Sequence, residues 1–529
     1  MSHKSDINNF DIIVVGATPG GIAAAVVAAR MGRTVALVEP HAHIGAMTAS
    51  GLGKSDIENR AMIGGFFKEF TDRIYTCYTT KYGENHPNIK LSCDGYCFEP
   101  SVAEAVFEEI VTECVGITVM KQCRLIAADV IDNIVKSVAI EDQANGLTVS
   151  LNAKIFIDAT YEGDLYAAAG AEYRLSRESK QEYNELHAGK VYYDYQTHQF
   201  LEGSTGEADE SLPAYTYRLC LTTDSANARR LTEPPPDYNR NEYLGYFDDL
   251  KQGRLAGPKN FKPGRGYYPP HFNTMMRALS VAEIPNNKYD ANINPRPLGF
   301  PFPEENALYV NGNAEDRALI CRRHRNLALG LLWFLQNDPE IPEAHRREAN
   351  RFHLPLDEFI DNDNFPFQLY VREARRLVGE LTLTENDITR NNGDCAIRSR
   401  PDCIAIGEFP IDSFPCHKRQ PDDTQVLEGY LGMLDAFTRP YEIPYRIMIP
   451  EKIDGLIVPV AASTTHVAYS SIRMEPTWMA LGQAAGVAAS VAIAEDTAPR
   501  DISICRIQQH LKEQGQILEH SQKNKIANQ

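Results

Sequence analysis

Between Asp11 and Pro40 the chain reads DIIVVGATPGGIAAAVVAARMGRTVALVEP, and the residues able to do chemistry are Gly16, Thr18, Pro19, Gly20, Gly21 and Glu39. Backbone N–H groups at a helix start lack intrahelical partners and carry the positive end of the helix dipole, so they suit a pyrophosphate. A carboxylate at the tip of the following strand suits the two hydroxyls of an adenosine ribose. Residue type and spacing together predict a dinucleotide site, though they do not separate FAD from NAD. One position departs from the GxGxxG pattern, because Thr18 stands where glycine is expected. Thr18 before Pro19 makes a sound N-cap, with proline at the first helical position and a hydroxyl that could reach phosphate.

The elements that must position these residues follow from pattern. Ile12–Val15 is an apolar, β-branched run short enough for a buried parallel strand, Ile22–Met31 reads as a helix stopped by Gly32, and Thr34–Val38 as a second strand. The loop HAHIGAMTASGLGKSDI follows Pro40, and its small residues would let Gly45, Ala46 and Met47 lie along the dinucleotide. Helices are expected over Ile63–Tyr82 and Glu99–Cys114, then a meander from Ile117 with a turn at Asn145-Gly146 and a buried strand to Asp158. Asp158, Ala159 and Thr160 end that strand beside the first turn, and Asp158, Glu162 and Asp164 read as helix-start acids rather than metal ligands.

From Ser176 to about Gly257 the chain is polar, tyrosine-rich and broken by three prolines. Asn286–Asn294 reads as a loop, Glu315–Asn337 as a buried helix and Pro366–Arg390 as a strand, FQLYVREARR, running into GELTLTENDI. Arg372, Arg375 and Arg376 are expected to pair with local carboxylates. Near the C-terminus, Gly455–Ser463 is a last strand, and the helix begun by Pro476 carries Gly482, Ala485, Gly486 and Ala489. These small residues would face Gly21, Ala24, Ala25 and Ala28 of the first helix, with a polar, frayed tail from Gly515.

Composition bounds the partners. A net charge of −18 over 529 residues argues against nucleic acid or an anionic membrane surface. No apolar run is expected to approach the roughly 20 residues of a membrane span, and the polar N-terminus reads as cytoplasmic. Eleven cysteines without a CxxC pair read as free thiols, Cys93 and Cys97 included.

The stretches VVGATPGGIAAA, CFEPSVAEAVFEEI, IDATYEGDLYAAAG, KYDANIN, LGLLWFLQNDPE, LYVREARRLVGE and THVAYSSIRMEPTWMALGQAAG together carry a resemblance. With them the chain resembles the FAD-dependent oxidoreductase family of the glutathione-reductase-type flavoprotein superfamily. Thr18 and Ala46 depart from it, each at a position where members often carry glycine. The resemblance implies an α/β fold: a discontinuous Rossmann-type FAD-binding domain (10–175 and 440–500) with an inserted mixed α+β substrate domain (176–439). A C-terminal helix and polar tail (501–529) follow. It also implies non-covalent FAD, with the isoalloxazine at the start of the last helix, at Glu475, Pro476 and Thr477. There a helix N-terminus would stabilise negative charge at the flavin N1–C2=O edge as N5 takes a hydride.

Oxidising a CH–OH or CH–NH group also needs a base, and His466 is the first choice, with Arg473 to orient an anionic or oxygen-rich substrate. His417 and Arg446 are weaker candidates. The expected activity is dehydrogenation or oxidation of a small polar metabolite, a sugar or polyol. An NAD(P)H-using flavin monooxygenase and a non-catalytic FAD-binding electron-transfer subunit are the alternatives. The sequence assigns neither the electron acceptor nor the oligomeric state.

Overall fold

The structure, a computed structural model, describes residues 8–194, 197–251, 278–293, 302–389, 400–418, 426–434 and 437–519. The ends of the readings at 252–257, Asn294 and Arg390, and the tail beyond Glu519, lie outside the described residues. Strand β1 (Asn9–Val15) leads into helix α1 (Pro19–Arg30) and strand β2 (Val35–Val38). Helices α2 (Gly65–Tyr82) and α3 (Pro100–Thr112) precede strands β3 (Ile117–Met120), β4 (Cys123–Ile131), β5 (Ile134–Asp142) and β6 (Leu147–Asp158). These six strands form one sheet in the order β3-β2-β1-β6-β5-β4.

Strand β6 joins two regimes. Its first half pairs antiparallel with β5, and its second half pairs parallel with β1, in the register Ile12↔Ile155 to Val15↔Asp158. Strand β10 (Leu456–Ile457) also pairs parallel with β6, so the end of the chain returns to the sheet formed by its beginning. Alternate residues of β1 face opposite cores. Ile12 and Val14 pack with the helices, whereas Ile13 and Val15 pack with Val135, Val138 and Leu456. Burial on both faces explains why β1 is continuously apolar.

The middle of the chain contributes β7 (Leu219–Thr222), β8 (Leu279–Ile284) and β9 (Lys288–Ile293), in the order β7-β9-β8, and helix α4 (Ala314–Asn337). Here the loop expected at Asn286–Asn294 is corrected: it is a hairpin whose tip holds Asn286 and Asn287 at φ 65° and 56°. Asparagine tolerates this left-handed backbone, so a polar stretch can still be a turn and strand. The strand expected from Pro366 is also corrected. Only Arg376–Leu377 enters a ladder, and the segment before it is buried but irregular. Likewise only Leu456–Ile457 of the last expected strand is laddered.

Helix α5 (His466–Ile472), helix α6 (Glu475–Glu495) and helix α7 (Ile504–Glu513) close the fold. Helix α6 is long and apolar enough to cross a membrane, which the sequence reading did not anticipate, yet it is buried inside the protein. It lies against α1 at backbone contact. A Cβ at Gly482 would fall 1.9 Å from the Gly20 carbonyl oxygen, and one at Gly486 would fall 2.4 Å from that of Ala24. The chain after α7 is packed rather than frayed through Leu518, since Gln516 and Leu518 are buried and the Gln516 amide donates to the Ala480 carbonyl.

Gly482→Val should therefore destabilise the protein by about 3 kcal/mol or more, because main chain cannot yield to the added carbons. Denaturant unfolding checks this, and an unchanged midpoint would contradict the close α1–α6 approach.

Candidate functional site

The first turn is built by glycine geometry. Gly16 holds φ 96°, and a Cβ there would lie 2.9 Å from the main chain of Ala159 and Thr160. A Cβ at Gly21 would meet the Gly16 carbonyl oxygen at 1.9 Å. Thr18 is the N-cap of α1: its hydroxyl accepts from the Gly21 N–H (3.2 Å) and donates to the Ala159 carbonyl (2.8 Å). The hydroxyl is thus engaged by the protein rather than directed to phosphate. It ties the first turn to the end of β6, which explains a threonine at this departure. The Gly20 N–H has no protein acceptor among the described residues.

Glu39 is buried, and its carboxylate accepts from the Ala17 N–H (2.8 Å) and the His41 N–H (3.0 Å), one on each oxygen. Each oxygen keeps a lone pair for a ribose hydroxyl. Burial pushes Glu39 up to about 7, and the two N–H donors oppose that rise. Pro40 is exposed, whereas Gly45, Ala46 and Met47 are buried at the start of a short 3₁₀ turn beside it. Ala46 holds φ 40°, so the second departure from glycine retains a left-handed backbone. The Thr48 hydroxyl on that turn is buried without a partner. Asp158 accepts from the Thr160 N–H, the Thr160 hydroxyl and the Tyr166 N–H, so its carboxylate holds its own turn.

The start of α6 is buried and uncapped. Met474 at the N-cap offers no side-chain bond, Pro476 has no N–H, and the N–H groups of Glu475 and Thr477 have no protein acceptor among the described residues. The Glu475 carboxyl accepts from the Tyr161 hydroxyl, its Oε2 has no partner, and burial pushes it up to about 8.

His466 begins α5 behind the N-cap Thr465 and is buried. Its main-chain N–H donates to Glu178 (2.9 Å), and its Nδ1 meets Glu373 Oε2 at 2.7 Å. No hydrogen bond engages Nε2 among the described residues. Arg376 joins the same network, 2.6 Å from Glu178 and 2.9 Å from Glu373. A carboxylate at Nδ1 favours the Nδ1–H tautomer and leaves Nε2 as the bare, basic nitrogen. Sequence reasoning missed Glu373, although the signal was there: one acid inside the run VREARR.

Other candidates fall elsewhere. Arg446 is exposed and paired with Asp402 at 3.0 Å. His417 belongs to a half-exposed cluster with Asp209 (3.3 Å) and Ser211 (3.1 Å), and the Asp209 carboxylate raises its pKa. Arg375 pairs with Asp164 and Arg376 with Glu178 and Glu373, as expected of the basic run, but among the described residues Arg372 pairs with no carboxylate. Arg473 donates to the Tyr370 hydroxyl (3.2 Å) and to the Asp412 carbonyl (2.7 Å).

A family model described as FAD dependent oxidoreductase matches residues 11–511, nearly the whole chain. The chain belongs to that family. It is an FAD-dependent oxidoreductase, with FAD as its cofactor. No curated protein sequence matches it. Among solved structures it is similar to the FAD complex of glycerol-3-phosphate dehydrogenase from Bacillus halodurans, with 14% identity over 36% of this chain and 43% of that one, TM-score 0.22. It is also similar to 3-ketosteroid-delta4-(5alpha)-dehydrogenase from Rhodococcus jostii RHA1, with 12% identity over 30% and 48%, TM-score 0.21. The flavin-dependent monooxygenase PieE matches at 16% identity over 32% and 34%, TM-score 0.23. The chain spans less than half the length of each of these three, and such TM-scores carry no argument about reaction or substrate.

The residues present fit FAD on their own chemistry. Two buried helix starts offer N–H groups without acceptors, a buried carboxylate keeps free lone pairs, and the Thr48 hydroxyl is an orphan.

A ribose hydroxyl donates better to an ionised carboxylate, so FAD binding should favour ionised Glu39. Below about pH 7 a proton must leave first, and FAD affinity should fall by up to about tenfold per pH unit. Glu39→Gln should bind FAD more weakly and without that pH dependence. Quenching of FAD fluorescence across pH 5–8 measures both, and a flat wild-type profile would remove Glu39 from the ribose.

Proposed function

We propose that the protein is a dehydrogenase or oxidase of the glutathione-reductase type that takes a hydride from a small polar metabolite, a sugar or polyol class substrate. The observation that carries this reading is the buried Glu373–His466 pair with its unengaged Nε2. FAD, when bound, supplies the two-electron acceptor for that hydride. The Gly20 N–H and Glu39 would hold its pyrophosphate and ribose, Gly16 and Gly21 would keep the turn clear of side chains, and the α6 start at Glu475, Pro476 and Thr477 would meet its flavin.

His466 Nε2 takes the substrate hydroxyl proton as the C–H bond gives up its electron pair and the carbonyl forms. Glu373 offsets the imidazolium charge and holds the ring, and Arg376 in turn holds Glu373. A pure electron-transfer subunit has no need of such a base. A monooxygenase would need a second nucleotide site, and the sequence has no second complete glycine-rich fingerprint. The return of β10 and α6 to the N-terminal sheet supports residues 10–175 and 440–500 as the FAD domain, with 176–439 inserted and 501–529 as a C-terminal extension. The net charge of −18 and the free thiols among the described residues favour a cytoplasmic protein acting on small molecules.

His466→Asn should retain FAD and a near-normal absorption spectrum while slowing anaerobic flavin reduction by about 10²–10⁴-fold. The pH profile of reduction should lose one limb, and Glu373→Gln should shift it in the same direction by a smaller factor. Rapid-mixing rates on the FAD-loaded fraction check this. A rate within about threefold of wild type rejects His466 as the base.

A further inference from the structure

Six arginines are buried among the described residues: Arg177, Arg218, Arg372, Arg375, Arg376 and Arg473. Four of them touch carboxylates. Arg177 meets Asp209 and Glu428, Arg218 meets Asp290 and Asp56, Arg375 meets Asp164, and Arg376 meets Glu178 and Glu373. Among the described residues, Arg372 and Arg473 touch none. A buried charge is costly unless something of opposite sign faces it, so these two are the exception to explain.

They are also neighbours. The Arg372 guanidinium carbon lies 3.6 Å from the Phe414 ring centroid and 4.2 Å from that of Tyr370. The Arg473 carbon lies 5.8 Å and 6.0 Å from the same two rings. Arg372 donates to the Ala214 carbonyl (2.7 Å) and Asn292 Oδ1 (3.1 Å), and its Nε is buried with no acceptor. Arg473 donates to the Tyr370 hydroxyl and the Asp412 carbonyl, which among the described residues leaves some of its five N–H donors unused. Arg473 follows α5, whose first residue is His466, and stands two residues before the uncapped start of α6. The cationic pair is therefore tied in sequence and structure to the elements of the proposed active site.

Charge selects the ligand. The Asp412 carboxylate acts on both guanidiniums at a distance, Asp56, engaged by Arg218, acts on Arg473, and the Arg218 cation acts on Arg372. With Arg218 and its partners Asp56 and Asp290 counted, the neighbourhood holds three cations and three carboxylates, so a singly charged carboxylate is accommodated more readily than a phosphate dianion. Guanidinium forks match the planar carboxylate, and the Tyr370 hydroxyl adds a donor at the same place.

We propose that Arg372 and Arg473, with the Tyr370 hydroxyl, bind the carboxylate of the substrate, so that the substrate is a hydroxy acid or sugar acid rather than a neutral polyol. This rests on the dehydrogenase reading of the same site and narrows it. The aromatic pair keeps Arg372 rigid and dry, and the anion anchors the substrate while His466 addresses its hydroxyl.

The oxidised holoenzyme tests this through binding rather than turnover. Glycolate, D-gluconate, D-glucuronate and tartrate are titrated against ethylene glycol, sorbitol, methyl glucoside and inorganic phosphate. Two signals are followed, the absorbance difference of the bound FAD and the thermal midpoint. At least one carboxylate should give a saturable signal on both, with its neutral counterpart silent at equal concentration. Arg372→Gln and Arg473→Gln should weaken that carboxylate at least tenfold with FAD still bound, and Arg473→Lys should recover part of the loss. Silence to every carboxylate in the wild type, binding of phosphate alone, or unchanged affinity in both glutamine variants would overturn the proposal. Reduction by neutral polyols without carboxylate binding would overturn it and leave the dehydrogenase reading standing. Carboxylate binding with no reduction by any member of the panel would do the reverse.

Discussion

The contact on which the rest depends is the backbone-to-backbone approach of α1 and α6. Gly482 and Gly486 lie against the carbonyls of Gly20 and Ala24 at distances that admit no side chain. This closeness holds the start of α6 near the glycine turn at the start of α1. Two helix N-termini, separated by some 450 residues of sequence, are thereby directed at one region. Helices packed through larger side chains sit about 8–10 Å apart. Main-chain contact restricts both distance and register.

Polar chemistry is mounted on this frame by buried ion pairs rather than by apolar packing. Arg376 reaches Glu178, Glu373 and the Thr464 carbonyl, so it links the chain before α5, the irregular segment 366–377 and the segment around Glu178. A buried pair of this kind adds little net stability against an apolar replacement, but removing one partner costs about 3–5 kcal/mol. Such a network therefore defines positions more than it adds stability. His466 receives its orientation from it, through Glu373 at Nδ1 and Glu178 at the main-chain N–H. The same segment, LYVREARR, also places Tyr370 and Arg372 beside Arg473. One irregular stretch thus supplies both the partner of the proposed base and the proposed anion site.

The departures from glycine at Thr18 and Ala46 illustrate two ways to keep a turn. Thr18 replaces lost backbone freedom with two hydrogen bonds, one capping α1 and one tying Ala159. Ala46 keeps the left-handed backbone outright, at a cost of about 1–2 kcal/mol that the surrounding packing sustains.

Local pattern by itself determined β1, α1, β2, α2, α3, the meander, α4 and α6, because continuous apolar runs, proline starts and glycine stops act over a few residues. It determined the pairing of small-residue helix faces too, since only glycine and alanine permit such an approach. It could not determine that Pro366–Arg375 is buried without a ladder, or that Asn286-Asn287 turns a hairpin, because both depend on neighbours distant in the chain. The division among Arg372, Arg375 and Arg376 was equally invisible. All three are arginines within five residues, and only folding decides which guanidinium meets a carboxylate and which meets two aromatic rings. Likewise, His466 was legible as an ionisable residue ahead of α6, but its partner Glu373 lies 93 positions away. A hydrogen bond of that sequence separation leaves no local trace, so tertiary structure alone decided what orients the imidazole.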